Sequence, residues 1–479
     1  MKYFSLCIAL LLTLSINGQN PLVSDRFLFE SDLNYNSDIP SPAEFLGYEL
    51  GEALTLYAHV EQYIKKVAEV SDRVDIATYG TTYEGRKLYR LAISSAENIS
   101  NLEEIRLKNL QIMDPVNHPD VEIGDAPVFM SFSYNIHGNE TSSTEAAMQV
   151  IYRLAAANDA KTLEMLQEAV TIIYPCINAD GRDRYVYWYK GSKRSVLGQE
   201  PSDLEHYAPF PNGRTNHYWF DLNRDWIWGV HPESRGHTGE YVKWMPHLHT
   251  DYHEMGYNSN YFTMPGTTPR NKLLPDDYEA LSDTIGQANI DAFNEYKVNY
   301  FTREAFDFFY PGYGSSYPSV MGAIGMLVEQ GGISGGRAVE TDDGYVLTLR
   351  QRIYDHYRTS VATLAKAVDQ KELFINYSRK ANTPSTSHSK TKAYIVKNNG
   401  SQYLRDFLQI MNRHEVEVKY LKGEITHPAR DFRDGNTRKV KFNESDYVVS
   451  ANQSKHLFIH SIMARNLSIE DSVMYDMSS

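Results

Sequence analysis

A chain of 479 residues, 42% hydrophobic and 23% charged, has the composition of a folded protein with room for one enzyme-sized domain and a smaller companion, which excludes a disordered chain. Its formal charge of −14, with a pI near 5.6, argues against a nucleic-acid partner, because a phosphate backbone needs a basic face.

Residues 1–18 read as a secretory signal: Lys2 supplies the positive start, and an apolar run from Cys7 to Leu14 precedes Gly18-Gln19. The run is too short to span a bilayer, and no later run reaches the roughly 20 apolar residues a membrane helix requires. The expected product is an exported protein, periplasmic or secreted, with no membrane span. Of its two cysteines only Cys176 would survive signal removal, so no intramolecular disulfide can form. Beside Pro175 on an apolar run, Cys176 reads as a core residue.

Residues 51–70 carry apolar side chains at helical spacing, and the stretch from Ile76 to Ser94 reads as two strands around a Glu84-Gly85 turn. A buried strand is expected over 126–134, then a loop at Ile136-His-Gly-Asn139. A helix follows with Ala147, Val150, Ile151 and Leu154 on one face. Further apolar strands at 169–176, 248–252 and 325–328 alternate with helical or loop segments. The fold class expected is α/β, a mixed central β-sheet with helices on both faces. Sites in such sheets gather at strand carboxyl ends.

A helical pattern from about Asp343 to Tyr377 closes the main body, 19–377. The Ser/Thr/Lys-rich stretch 378–392 reads as a linker. Residues 393–479 read as a small α/β domain: strands at 393–397, 417–421 and 447–450, and a helix with Leu404, Phe407, Leu408 and Met411 on one face. It stops abruptly at Met474–Ser479, as an incomplete unit would.

The spacing His-x-x-Glu occurs three times, and with 16 histidines about one such pair is expected by chance. His237-Thr-Gly-Glu240 lies in a polar segment resembling a surface helix start, and His414-Glu-Val-Glu417 lies in the small C-terminal unit. Only His137 and Glu140 sit where a buried strand passes into a helix, so that the backbone on either side can aim both at one ion. A catalytic zinc needs three imidazole or carboxylate ligands and one open position. The segment His247-Leu-His-Thr-Asp-Tyr-His253 offers the third. Alternation puts His247, His249, Asp251 and His253 on one face, with His253 at the expected strand terminus and Asp251 or His249 able to orient it.

From about Tyr48 to about Lys366 these residues resemble the zinc carboxypeptidase family. Asn178-Ala-Asp-Gly181 is similar to the family's Asn-Pro-Asp-Gly turn, with Ala179 in place of the usual Pro, and Asp221-Leu-Asn-Arg224 is similar to its Asp-Leu-Asn-Arg motif. Pro232-Glu-Ser234 resembles the family motif that opens the helix before the third-ligand strand. The resemblance implies one zinc ion on His137, Glu140 and His253, with Asn223 and Arg224 holding the substrate's terminal carboxylate. A planar guanidinium and a directed amide suit that task. It places an Arg nine residues before Asn223 to polarise the scissile carbonyl, which is Arg214, with Arg182, Arg184 and Arg194 as competitors. Gly325-Met-Leu-Val-Glu329 resembles the catalytic glutamate segment, making Glu329 the general base. A capping tyrosine is expected among Tyr310, Tyr313 and Tyr317, with Tyr310 nearest by spacing. Gly331–Gly336 lacks the Lys-Ser/Thr ending of a phosphate loop and reads as a turn beside the site.

The function implied is hydrolysis of C-terminal peptide bonds in a peptide or protein substrate with a free carboxylate. Alternatives are an amidase or peptidoglycan stem-peptide hydrolase using the same site, and a non-catalytic peptide-binding module.

Overall fold

The computed structural model describes residues 27–31, 33–385 and 389–469. The expected signal, the final stretch 474–479 and part of the expected linker lie outside the described residues. No described helix is long and apolar enough to cross a membrane.

The first hairpin is β1 (Val74–Thr81) and β2 (Lys87–Ile93), turning at Gly85, whose φ of 86° suits a residue without a Cβ. Six further strands complete the central sheet: β3 (Val128–Tyr134), β4 (Ala169–Tyr174), β5 (Leu248–Gly256), β6 (Tyr261–Phe262), β7 (Tyr300–Phe301) and β8 (Ile324–Ile333). Their order is β1-β2-β4-β3-β5-β8-β6-β7. The four central strands β4, β3, β5 and β8 are parallel, whereas β2 on β4 and β6 on β8 are antiparallel, so the sheet is mixed as expected. Every residue of β3 and β4 is buried, in keeping with two largely apolar sequences whose polar members are small, Ser131, Ser133 and Thr171.

Alternation along the strands feeds two cores, one on each face. Met130, Phe132 and Tyr134 of β3 join Ile173, Leu91 and Ile93 beneath the helices Tyr57–Val70, Ser142–Ala156, Tyr278–Tyr296 and Leu349–Asp369. Phe129 joins Val170, Ile172 and Tyr174 on the other face, beneath the helix Pro232–Trp244. The second core also takes in Met411, Val416, Val449, Phe458 and Ile459, so the C-terminal unit packs directly on the main body. Cys176 is buried, 1% exposed.

Several boundaries differ from expectation. The helix expected over 51–70 begins at Tyr57, and a short helix, Pro42–Leu46, precedes it. The pattern over 343–377 divides: β9 (Ala338–Glu340) pairs with β10 (Val346–Thr348), and Thr348 then caps the helix Leu349–Asp369 by accepting from the Gln351 amide at 3.1 Å. A break at Gln370 precedes the helix Lys371–Ala381, which runs into the 378–392 stretch. His237 is no surface residue; it lies inside the helix Pro232–Trp244 and is 2% exposed. Beyond the linker, β11 (Ala393–Val396), β12 (Val418–Tyr420) and, after an unanticipated hairpin of β13 (Ile425–Arg430) with β14 (Thr437–Phe442), β15 (Tyr447–Ser450) form two small sheets flanked by the helices Gln402–Arg413 and His456–Met463.

Candidate metal centre and active site

The chain leaves β3 through Asn135, whose φ is 60°. Its side-chain amide donates to the carbonyls of His137, at 2.7 Å, and Glu140, at 2.8 Å, tying the loop into one shape. Gly138 is obligatory here: a Cβ would lie 2.2 Å from the Arg182 nitrogen and 2.6 Å from the Gly213 carbonyl oxygen. This close approach seats the loop against the Asn178–Gly181 turn and the 212–215 segment. Asn178 accepts from the Gly181 amide at 2.9 Å and donates to the Arg214 carbonyl at 3.1 Å, so the turn also places Arg214.

His137, Glu140 and His253 converge, and among the described residues they are the one group able to hold a metal ion. The Nδ1 atoms of His137 and His253 are 3.2 Å apart; the Glu140 carboxylate lies 2.8 Å from the first and 3.1 Å from the second. Two nitrogens bound to one tetrahedral zinc at about 2.0–2.1 Å would sit roughly 3.3 Å apart, so this set fits zinc. The opposite nitrogens face carboxylates: His137 Nε2 is 2.9 Å from Asp221 and His253 Nε2 is 2.8 Å from Asp251. A carboxylate at Nε2 holds the proton there and leaves the Nδ1 lone pair for a metal. His249, the other candidate orienter, faces Ser131 at 2.6 Å instead.

His253 lies inside β5, which runs on to Gly256, and not at a strand terminus. Glu329 likewise lies inside β8, which continues to Ile333. The register pairs His253 with Glu329 across the two strands, so both side chains leave the same face of the sheet. Burial raises the Glu329 carboxyl above the usual carboxylate range. His253 opposes the shift and the Glu140 carboxylate adds to it.

The four arginine candidates have distinct fates. Arg182 is fully buried, bonded to Glu145 at 2.6 Å and to the carbonyls of Thr55 and Thr141. Arg184 binds the carbonyls of Thr215 and Asn216, and Arg194 points outward toward Asp203. Arg214 alone reaches the centre, with Nη1 3.3 Å from His137 Nδ1 and 3.5 Å from Glu140, and Nη2 2.9 Å from Asp221.

Asn223 and Arg224 follow on the short turn Leu222–Arg224. Asn223 Nδ2 is 3.1 Å from His253 Nε2, and its Oδ1 accepts from the Gly314 amide at 2.7 Å. The Arg224 guanidinium lies over the Tyr313 ring at 4.5 Å. Of the tyrosines, Tyr310 is half-buried and accepts from Trp228 Nε1 at 2.9 Å, Tyr313 supports Arg224, and Tyr317 is 0% exposed, inside the second core. The role of Asp221 had no signal in spacing: it joins His137 to Arg214 and approaches Arg224 at 3.6 Å.

Residues 60–260 match the family model described as zinc carboxypeptidase, a span holding the three metal-facing residues, Arg214, Asn223 and Arg224 but not Glu329 or Tyr310. No curated protein matches the chain. Among solved structures, a metallo-carboxypeptidase from Burkholderia cenocepacia is similar at 14% identity and a TM-score of 0.45, over 66% of this chain and 69% of that one. One from Pseudomonas aeruginosa, in complex with (2-guanidinoethylmercapto)succinic acid, is similar at 15% and 0.45, over 65% and 69%. Carboxypeptidase A from Helicoverpa armigera is similar at 17% and 0.45, over 68% and 76%. On the strength of the family match, residues 60–260 of this chain are a zinc carboxypeptidase domain.

Proposed function

We propose that the protein is a zinc-dependent metallocarboxypeptidase that removes residues from the free C-terminal ends of peptides outside the cytoplasm. The observation that carries this reading is one surface on which a His137–Glu140–His253 donor set, a carboxylate at Glu329 and the Asn223–Arg224 pair meet. Zinc held by the three ligands supplies Lewis acidity that eases proton loss from a water and polarises a carbonyl.

Glu329 accepts one proton of the attacking water as its oxygen bonds to the carbonyl carbon, then passes that proton to the departing amine as the C–N bond breaks. Arg214 offers a guanidinium to the developing negative oxygen, while Asp221 holds that guanidinium in place. Asn223 and Arg224 receive the terminal carboxylate, Arg224 being steadied from below by Tyr313. Tyr310, half-buried and held by Trp228, would cap the bound residue.

Glu329→Gln should bind one equivalent of zinc as the parent does and lose turnover by about 10²–10⁴-fold, the usual worth of a positioned base. Metal analysis beside single-turnover assays on short peptides checks this; full activity in the variant would assign the proton transfer elsewhere.

A further inference from the structure

Among the described residues the C-terminal unit supplies no ligand to the metal centre, yet it grips the two loops that frame the substrate side. The first loop leaves Asn223 and Arg224 and folds back at Asp225, whose carboxylate accepts from the amides of Val230 at 2.9 Å and His231 at 3.0 Å. Two of its carbonyls then meet the end of the helix Gln402–Arg413: Arg413 Nη1 donates to Trp228 at 2.8 Å, and His414 Nε2 lies 2.9 Å from the Ile227 oxygen. The second loop, 310–317, carries Tyr310 and Tyr313 and ends at Tyr317, whose hydroxyl is 2.9 Å from His414 Nδ1.

The protonation of His414 follows from these partners. A carbonyl only accepts, so Nε2 carries the proton, and Nδ1 is the acceptor for the Tyr317 hydroxyl. One neutral imidazole is thereby satisfied at both nitrogens, one bond to each loop. It is 0% exposed, with its ring 4.5 Å from that of Phe458 in the second core. Burial keeps it neutral by lowering it to about 4.

On the site side the same two loops meet through Asn223 with Gly314, Arg224 with Tyr313 and Trp228 with Tyr310. A slide of one loop past the other would break all three contacts. Were His414 only a filler of the core, an apolar ring of like size would serve equally. Such a ring would instead leave the Ile227 carbonyl and the Tyr317 hydroxyl buried without partners.

We propose that His414 is a positioning residue through which the C-terminal unit fixes the relative placement of the two loops that hold the substrate's terminal carboxylate. The inference rests on the reading of Asn223 and Arg224 as the carboxylate clamp. It gives the C-terminal unit a part in substrate recognition.

The test uses the full chain with zinc bound, as parent, His414→Phe, His414→Gln and Tyr317→Phe, on one short peptide in its free and C-terminally amidated forms. Hydrogen exchange of 225–231 and 310–317 is followed in parallel. For His414→Phe the KM for the free-carboxylate peptide should rise about 10-fold or more, with kcat within about threefold and zinc content unchanged. Exchange should quicken in both segments. His414→Gln, which keeps a donor and an acceptor, should recover part of the loss, and Tyr317→Phe, which removes one bond, should lose less. A folded His414→Phe with parental KM and parental exchange overturns the proposal, as does an equal fall in kcat and zinc content. If His414→Phe does not fold, unchanged KM and exchange in Tyr317→Phe overturn it instead. A parent that cleaves free and amidated peptides alike overturns the clamp reading, while the exchange of the two segments still decides the brace.

Discussion

Asp221 shares one carboxylate among His137, Arg214 and Arg224, at 2.9, 2.9 and 3.6 Å. Burial alone would raise its carboxyl, but the His137 ring that hydrogen-bonds it and the Arg214 and Arg224 guanidiniums outweigh burial and hold it well below the usual range. An ionised Asp221 keeps the proton of His137 on Nε2 and so aims Nδ1 at the metal position. Asp221→Asn should weaken zinc binding by about 10–100-fold, the usual effect of removing a carboxylate behind a ligating histidine, measured by competition with a chromogenic chelator. Unchanged affinity would show that His137 needs no carboxylate behind it to face the metal. At this scale His137 and Glu140 were legible because His-x-x-Glu needs only local spacing, and His253 through the family's order of motifs. Asp221 was not, since its partner in space lies 84 positions away.

Strands and loops set how finely those residues are placed. The loop carrying His137 works because Gly138 lets backbone press against backbone, and a Cβ there would meet the Arg182 nitrogen and Gly181 carbon at 2.2 Å. Gly138→Ala should therefore cost roughly 1–3 kcal/mol, the range for overpacked sites, and reduce zinc occupancy. Denaturant midpoints with and without zinc would read both, and a variant as stable as the parent would mean that the loop can yield. Burial of β3 and β4 on both faces was legible in their largely apolar sequences. The ends of β5 and β8 were not: each carries polar residues past the apolar stretch, His253 and Glu329 facing one another and the site while Glu254 turns to the other face, onto Ser142 and Arg352. A polar strand end reads locally as a loop, and only pairing shows otherwise.

The molecule as a whole stores several histidines as uncharged interior groups. Burial pushes His237, His247 and His356 down to about 3, and His414 to about 4, from an ordinary value near 6.5. The Phe129 amide donates to His247 Nδ1 at 2.9 Å, a bond that needs the neutral ring. Above pH 6.5 these groups are neutral in the folded and unfolded chain alike. Below it the unfolded chain binds protons that the folded one refuses, so stability falls with pH, by up to about 1.4 kcal/mol per unit for each group, until the folded values are reached. Denaturant midpoints should drop steadily from pH 7 to 4.5. A flat profile would contradict the burial of neutral imidazoles.

Sequence by itself carried what local order can encode: a mixed α/β sheet from apolar runs and their spacing, and His137, Glu140 and His253 as a set that could hold a metal. Tertiary structure decided what depends on contact between distant segments. It brought Arg214 to the centre while burying Arg182 against Glu145, took Tyr317 into the core, and made Asp221 a hub. It also turned His414, from a pair set aside in the C-terminal unit, into the link between two site loops. The physical reason is common to all four: guanidinium, phenol, carboxylate and imidazole can each serve at a surface, in a core or at a site, and only the partners the fold brings near choose among these.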